Sequence, residues 1–191
     1  MCRRAKDSIY WPDRAAPLIG KAIPTRPWQV VHQDLFVWSD CHCLVTIDGF
    51  SDFIEIDRLG RDTTSKAIAK ETASHIARYG RPSELHTDPD PRFLSSEFQQ
   101  FLKKWRINHK VSSPHHHQSN GKSESAVKAA KRIIKKTQYN NEDVESALLE
   151  WRSTPQSDGK SPAQKLFGRP LATLLPVRED LIQPAGAREK Q

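Results

Sequence analysis

Three acidic residues lie where their carboxylates could hold metal ions. Asp34 closes an apolar run that begins at Val30, Asp88 closes a short run that ends at Thr87, and Glu124 opens a basic segment. If both runs are strands, these acids could meet at one end of a sheet. Carboxylate oxygens are preferred ligands of Mg²⁺ and Mn²⁺, so the pattern predicts a divalent-metal site.

Each acid also has a structural explanation of its own. A strand end, a turn and a helix N-terminus all tolerate a carboxylate, the last because of the helix dipole. Three such coincidences together favour the metal site. Asp90 competes with Asp88 as a ligand, whereas Asp48 and Asp52 are predicted to belong to a hairpin turn.

The histidine triplet at 115–117 resembles a metal site, but adjacent histidines cannot easily converge on one ion. We interpret it as part of an active-site loop. The Cys41, His42 and Cys43 run lacks a second ligand pair and is predicted to be strand. The chain has three cysteines, Cys2, Cys41 and Cys43, and their spacing suggests no disulfide pairing. This is typical of a protein in a reducing compartment.

The charge of the chain is positive and unevenly distributed. Among 191 residues the net charge is +7, and five basic residues lie close together, at Lys128, Lys131, Arg132, Lys135 and Lys136. Such a run alone is typical of a solvated helix face. Beside a carboxylate cluster it favours a polyanionic partner.

The basic run is predicted to lie on a helix over 119–137. At 100° per residue, one face carries Glu124 together with Lys128, Lys131 and Lys135, each within about 40° of Glu124. The opposite face carries Ala126, Ala130, Ile133 and Ile134. The acid and the basic row therefore share a face.

The other elements follow from periodicity and turn residues. We expect an antiparallel three-strand meander, then a helix, then a strand parallel to the first, then alternating helices and one more strand. Strands are predicted at 30–37, 43–47, 53–59, 83–87 and 108–111, and helices at 64–79, from Ser95 or Ser96 to about 105, at 142–152 and from Ser161. This order gives a mixed α/β fold.

Residues 24–175 are predicted to form one domain, after an arm over 1–23 and before a disordered tail over 176–191. No apolar run approaches the ~20 residues of a membrane-spanning helix. We therefore expect a soluble protein with no membrane partner.

The chain resembles the catalytic core of retroviral and gypsy-type retrotransposon integrases. The resemblance rests on His32-Gln33-Asp34-Leu35-Phe36 and on the segments at 23–29, 87–93, 113–124 and 161–169. Thirty-five residues separate Asp88 from Glu124, as they separate the second and third acids of that family.

The resemblance implies a ribonuclease-H-like fold, with a mixed five-stranded sheet flanked by helices, and metal-dependent DNA strand transfer or cleavage. Asp34 would bridge two Mg²⁺ or Mn²⁺ ions, Asp88 would complete one site and Glu124 the other. The expected DNA contacts are Gln118, Asn120, Lys128, Lys131, Arg132 and Lys135. A homo-oligomer is expected, and a nuclear location if the substrate is chromosomal DNA.

Two features depart from the family pattern. Pro89-Asp90 replaces the usual Asn-Gly, which predicts loss of an amide donor and of a permissive φ beside the metal site. The arm at 1–23 resembles the tail of a zinc module without its histidines and Cys-x-x-Cys pair, so no zinc is expected. These departures leave two alternatives, a domesticated non-catalytic nucleic-acid-binding module and a stand-alone nuclease.

Overall fold

A computed structural model describes residues 24–112, 117–140, 143–174, 176 and 182. The predictions of an N-terminal arm over 1–23 and of a disordered tail lie outside these residues, apart from positions 176 and 182. So does most of the predicted active-site loop. No helix of the described part is long and apolar enough to span a bilayer.

The five strands form one mixed sheet, as predicted. The meander is antiparallel, β4 runs parallel to β1, and β5 runs parallel to β4, which gives the order β3-β2-β1-β4-β5. Cys41 and Cys43 lie on β2, which confirms that this run is strand. The strands are β1 (Val30–Trp38), β2 (Cys41–Asp48), β3 (Ile54–Gly60), β4 (Glu84–Thr87) and β5 (Asn108–Val111).

Six helices surround the sheet in the described part of the chain. Several begin where the sequence supplies an oxygen-bearing cap: Thr64 accepts from Ala67 N–H, and Ser161 forms a capping box with Gln164. The four-residue helix α2 was not predicted, and α4 is longer than the predicted 119–137. The helices are α1 (Ser65–Tyr79), α2 (Pro91–Leu94), α3 (Ser96–Trp105), α4 (His117–Asn140), α5 (Val144–Ser153) and α6 (Pro162–Phe167).

Alternation along the strands divides the core into two layers. One face of the sheet buries Val31, Leu44 and Leu85 against residues of α1 and α3. The other face buries Phe36, Cys43, Val45, Ile47 and Ile54 against Ala126, Ala129, Ala130 and Ile134 of α4. Helix α4 therefore lies on the face to which the even-numbered side chains of β1 point.

The turn between β2 and β3 is organised by one buried carboxylate. Asp48, which is fully buried, accepts hydrogen bonds from Trp28 N–H at 2.9 Å and Phe50 N–H at 3.3 Å. Its other oxygen accepts from Ser51 N–H at 3.1 Å and Ser51 Oγ at 2.6 Å. Asp48 and Asp52 thus belong to the hairpin turn, as predicted, and Asp48 also anchors the segment that enters β1.

We expect Asp48→Asn to lower the free energy of unfolding by about 2 kcal/mol, because an amide NH₂ would face buried donors that now share a carboxylate. Urea unfolding would measure the change. Asp40→Asn is the matched control, since Asp40 is exposed in the turn between β1 and β2. Equal stability of the two variants would contradict the anchoring role of Asp48.

Candidate active site

Two of the predicted acids are brought together by the register of two parallel strands. β1 and β4 pair with Val30 opposite Glu84 and His32 opposite His86. Asp34 and Asp88 each lie two residues further along, on the same face as this histidine pair. Adjacent strands are about 4.8 Å apart, so continuing this register by two residues brings Asp88, directly after β4, next to Asp34 in the middle of β1.

The charge around Asp34 shows that the third acid lies nearby. Burial, together with the negative charge of Asp88, raises the pKa of Asp34 from 3.8 to about 6. The hydrogen bond from Leu35 N–H to Asp34 Oδ1, at 2.7 Å, opposes this rise. Asp90 and Glu124 add smaller upward contributions. Three other carboxylates therefore lie within electrostatic reach of Asp34.

Asp88 is perturbed in the same direction. Burial raises its pKa, and the charge of Asp90 adds to that effect. The N–H of Asp90 donates to Asp88 Oδ1 at 3.3 Å, which together with the charge of Arg92 moderates the rise. The second acid is thus held by the turn that follows β4.

That turn contains the departure from the family pattern, and its geometry corrects our expectation. Asp90 adopts φ −61° and ψ 134°, an ordinary extended conformation, so no permissive φ is required. Its own N–H is the amide donor to Asp88. Pro89 has no N–H, so the donor that Asn would supply at this position is lost as predicted, whereas Asp90 needs no permissive φ.

Asp90 also forms a bidentate ion pair with Arg92. Arg92 Nε donates to Asp90 Oδ1 at 2.8 Å and Arg92 Nη2 to Asp90 Oδ2 at 2.6 Å. These bonds hold the pKa of Asp90 below its usual range. The Asp90 side chain additionally accepts from Arg92 N–H at 2.9 Å and so caps α2.

Glu124 lies in the first half of α4, on its solvent side. The side chains predicted to share its face, Lys128, Lys131 and Lys135, are exposed, as is Arg132. The predicted apolar side is buried, at Ala126, Ala130, Ile133 and Ile134. Lys131 Nζ lies 5.9 Å from the centre of the Phe36 ring, two residues from Asp34 on β1. Gln118 and Asn120 fall on α4, but their side chains lie outside the described residues.

Sequence reasoning missed an ion pair at the beginning of α4. Lys122 donates to the carboxylate of Asp52, seventy positions earlier, on the turn between β2 and β3. This contact joins the helix segment that carries Glu124 to the turn that Asp48 anchors. No local sequence signal links residues so far apart, and the same holds for the His32 and His86 rings, whose centres are 4.8 Å apart.

The donor set of the site fits a hard divalent cation. Asp34, Asp88 and Glu124 offer carboxylate oxygens, and the repulsion that raises the pKa of Asp34 is what a bound cation would relieve. Within the described ranges, no three histidine, cysteine or acidic side chains are grouped closely enough to form a complete metal site. The carboxylates are therefore close enough to influence Asp34 electrostatically, but they do not form a complete set of metal ligands.

Comparisons with known proteins agree with this arrangement. Residues 24–117 match the family model of the integrase core domain. An uncharacterised protein of Caenorhabditis elegans is 27% identical over 181 residues, or 91% of this chain. The Gag-Pol polyprotein of walleye dermal sarcoma virus is 27% identical over 80% of it. The chain spans only 14% and 9% of these two relatives.

Solved structures share the fold at low identity. A chain of the simian T-cell lymphotropic virus intasome, in complex with PP2A regulatory subunit B56 gamma, gives a TM-score of 0.66 at 23% identity, covering 81% of this chain and 58% of that one. The catalytic core of BIV integrase gives 0.64 at 22%, covering 74% and 95%. The HTLV-2 integrase core in complex with magnesium gives 0.61 at 21%, covering 74% and 98%. The predicted ribonuclease-H-like fold is confirmed.

The raised pKa of Asp34 predicts that its ionised carboxylate destabilises the metal-free protein. Because the pKa rises from 3.8 to about 6, this destabilisation is complete above pH 6 and disappears below about pH 4, where the group is protonated both folded and unfolded. We expect Asp34→Asn to raise the free energy of unfolding at pH 7 by on the order of 1 kcal/mol, after discounting for solvent screening.

Urea unfolding at pH 7 and pH 4, with a chelator present, would measure this effect. The measurement at pH 4 is the internal control, since the natural chain and the variant should then differ least. A gain of the same size at both pH values would contradict the electrostatic origin.

Proposed function

We propose that this chain, whose residues 24–117 match the integrase core domain, is an integrase-type polynucleotidyl transferase that binds DNA and cleaves or joins its strands with divalent metal. The proposal rests on one observation, the parallel register of β1 and β4 that places Asp34 beside Asp88. The charge of Glu124 also acts on Asp34. Acids from three separate segments thus lie near one another, with Asp34 midway along β1 and Asp88 directly after β4.

Asp34, Asp88 and Glu124 are the residues that would hold two Mg²⁺ or Mn²⁺ ions. When bound, such ions would lower the pKa of an attacking water or 3′-hydroxyl and neutralise the leaving oxygen. The protein contributes orientation: β1 fixes Asp34 within a packed sheet, and Asp90 N–H restrains Asp88. Partial burial strengthens the attraction of these carboxylates for a cation.

DNA would be held along the exposed side of α4. Lys128, Lys131 and Lys135 extend from the helix that carries Glu124, so phosphates bound to this row would lie near the acids. Contacts of this kind are largely independent of sequence and sensitive to salt. Arg132, Gln118 and Asn120 are proposed as further contacts.

The relatives support the remaining parts of the proposal. The HTLV-2 integrase core has been solved with magnesium in dimeric and trimeric forms, and the simian viral relative in an intasome. We accordingly propose a divalent metal cofactor and a homo-oligomer for this chain. A nuclear location follows if its substrate is chromosomal DNA.

We expect Glu124→Gln to abolish strand-transfer reversal on a pre-branched DNA substrate with Mn²⁺, while DNA binding at low salt stays nearly unchanged. The reason is that Gln removes a metal-binding charge but keeps the size of the side chain. Gel analysis of the products would measure the loss. Glu145→Gln, on the exposed first turn of α5, is the matched control.

The outcomes separate the candidate functions. Product from the natural chain and the control alone supports the transferase. Hydrolysis without joining would indicate a stand-alone nuclease. No product from any chain, with binding intact, would indicate a non-catalytic nucleic-acid-binding module.

Replacing Lys128, Lys131 and Lys135 by Ala should weaken DNA binding and flatten its dependence on salt. Loss of three phosphate contacts should reduce the slope of log K against log salt by roughly 2 to 3. Fluorescence anisotropy over a salt series would measure the slope. Replacing Lys70, Lys103 and Lys104 by Ala is the control, because these exposed lysines lie on α1 and α3. An equal change in both variants would argue against DNA binding along α4.

A further inference from the structure

A fourth acid lies beside the candidate metal site and is paired with an arginine. Asp90 lies two residues after Asp88, and its N–H donates to Asp88 Oδ1 at 3.3 Å. Both oxygens of its carboxylate accept hydrogen bonds from Arg92, at 2.8 and 2.6 Å. The backbone of Asp90 thus contacts Asp88, whereas its carboxylate is engaged by Arg92 and acts on Asp34 and Asp88 only through its charge.

The Arg92 contact is unusually restrictive for an ion pair so near the surface. The side chains of Asp90 and Arg92 are only 19% and 30% exposed, and the guanidinium binds the carboxylate in parallel, two-pronged geometry. Asp90 Oδ1 also accepts from Arg92 N–H at 2.9 Å, as the cap of α2. Three hydrogen bonds therefore oppose rotation of this carboxylate toward Asp88.

We propose that Arg92 is a positioning residue that withholds Asp90 from the metal site, so that three acids rather than four are available to the ions. This inference rests on the proposed function. A fourth carboxylate would bind a divalent ion more tightly and displace water from it. Arg92 would thereby preserve both the charge of the site and the positions on the metal that substrate and water need.

Metal binding, measured apart from activity, tests the proposal. Electron paramagnetic resonance of free Mn²⁺ would give the dissociation constant, and water-proton relaxation the number of waters on bound Mn²⁺. For Arg92→Gln we expect affinity to rise on the order of tenfold, because an unneutralised carboxylate joins the site, and the bound Mn²⁺ to lose water.

The double variant Arg92→Gln with Asp90→Asn is the matched control. It restores the charge of the natural pair, so its affinity and water number should return to those of the natural chain. A gain that persists in the double variant, an unchanged affinity in the single variant, or a tighter ion with an unchanged water number would overturn the positioning role. Thermal unfolding of each variant would verify that the domain remains folded.

Asp34→Asn separates this inference from the function on which it rests. Mn²⁺ binding by the natural chain that is absent or independent of Asp34 would contradict the proposed metal site, and the role of Arg92 with it. Binding that requires Asp34 but is indifferent to Arg92 would overturn the role of Arg92 alone.

Discussion

The pairing of β1 with β4 is the constraint on which the site depends. It brings Asp88, directly after β4, close to Asp34 in the middle of β1, although like charges repel and partial burial increases the repulsion. The register is secured elsewhere, by apolar side chains packed on both faces of the sheet. A shift of one residue would exchange the faces of a strand, so the buried core holds the acids in an arrangement that they would not adopt by themselves.

Other acids around the site are stabilised by local partners. Asp48 is satisfied by backbone and hydroxyl donors within its turn, Asp52 pairs with Lys122, and Asp90 pairs with Arg92. Asp34 and Asp88 differ, since burial and neighbouring carboxylates raise the pKa of both. The structure thus neutralises the acids that shape the turns and leaves negative charge concentrated where a cation would be useful.

The sequence predicted those parts of the fold that periodicity and capping residues control. The lengths of the apolar segments, their β-branched residues and the turn residues between them predicted the strands, and Thr64, Ser95 and Ser161 predicted helix starts. Helix α2 was not predicted, because four residues are too few to show a helical period. The candidate acids could be chosen from apolar runs and spacing, although Asp34 lies in the middle of β1 and not at its end. The Lys122–Asp52 pair and the orientation of Asp90 could not, because both depend on side-chain contacts that form only in the folded chain.

Helix α4 shows how one element can serve packing and chemistry together. Its buried side is built largely from alanines at 126, 129 and 130, whose small side chains let the helix backbone approach β1 and β2 closely. This close approach brings Glu124 near enough for its charge to raise the pKa of Asp34. The opposite side carries the exposed lysines, so under the proposed function the same rigid helix would fix both a metal ligand and the phosphate contacts. A larger residue at the buried positions would displace both at once, which couples the core packing of this helix to the geometry of the site.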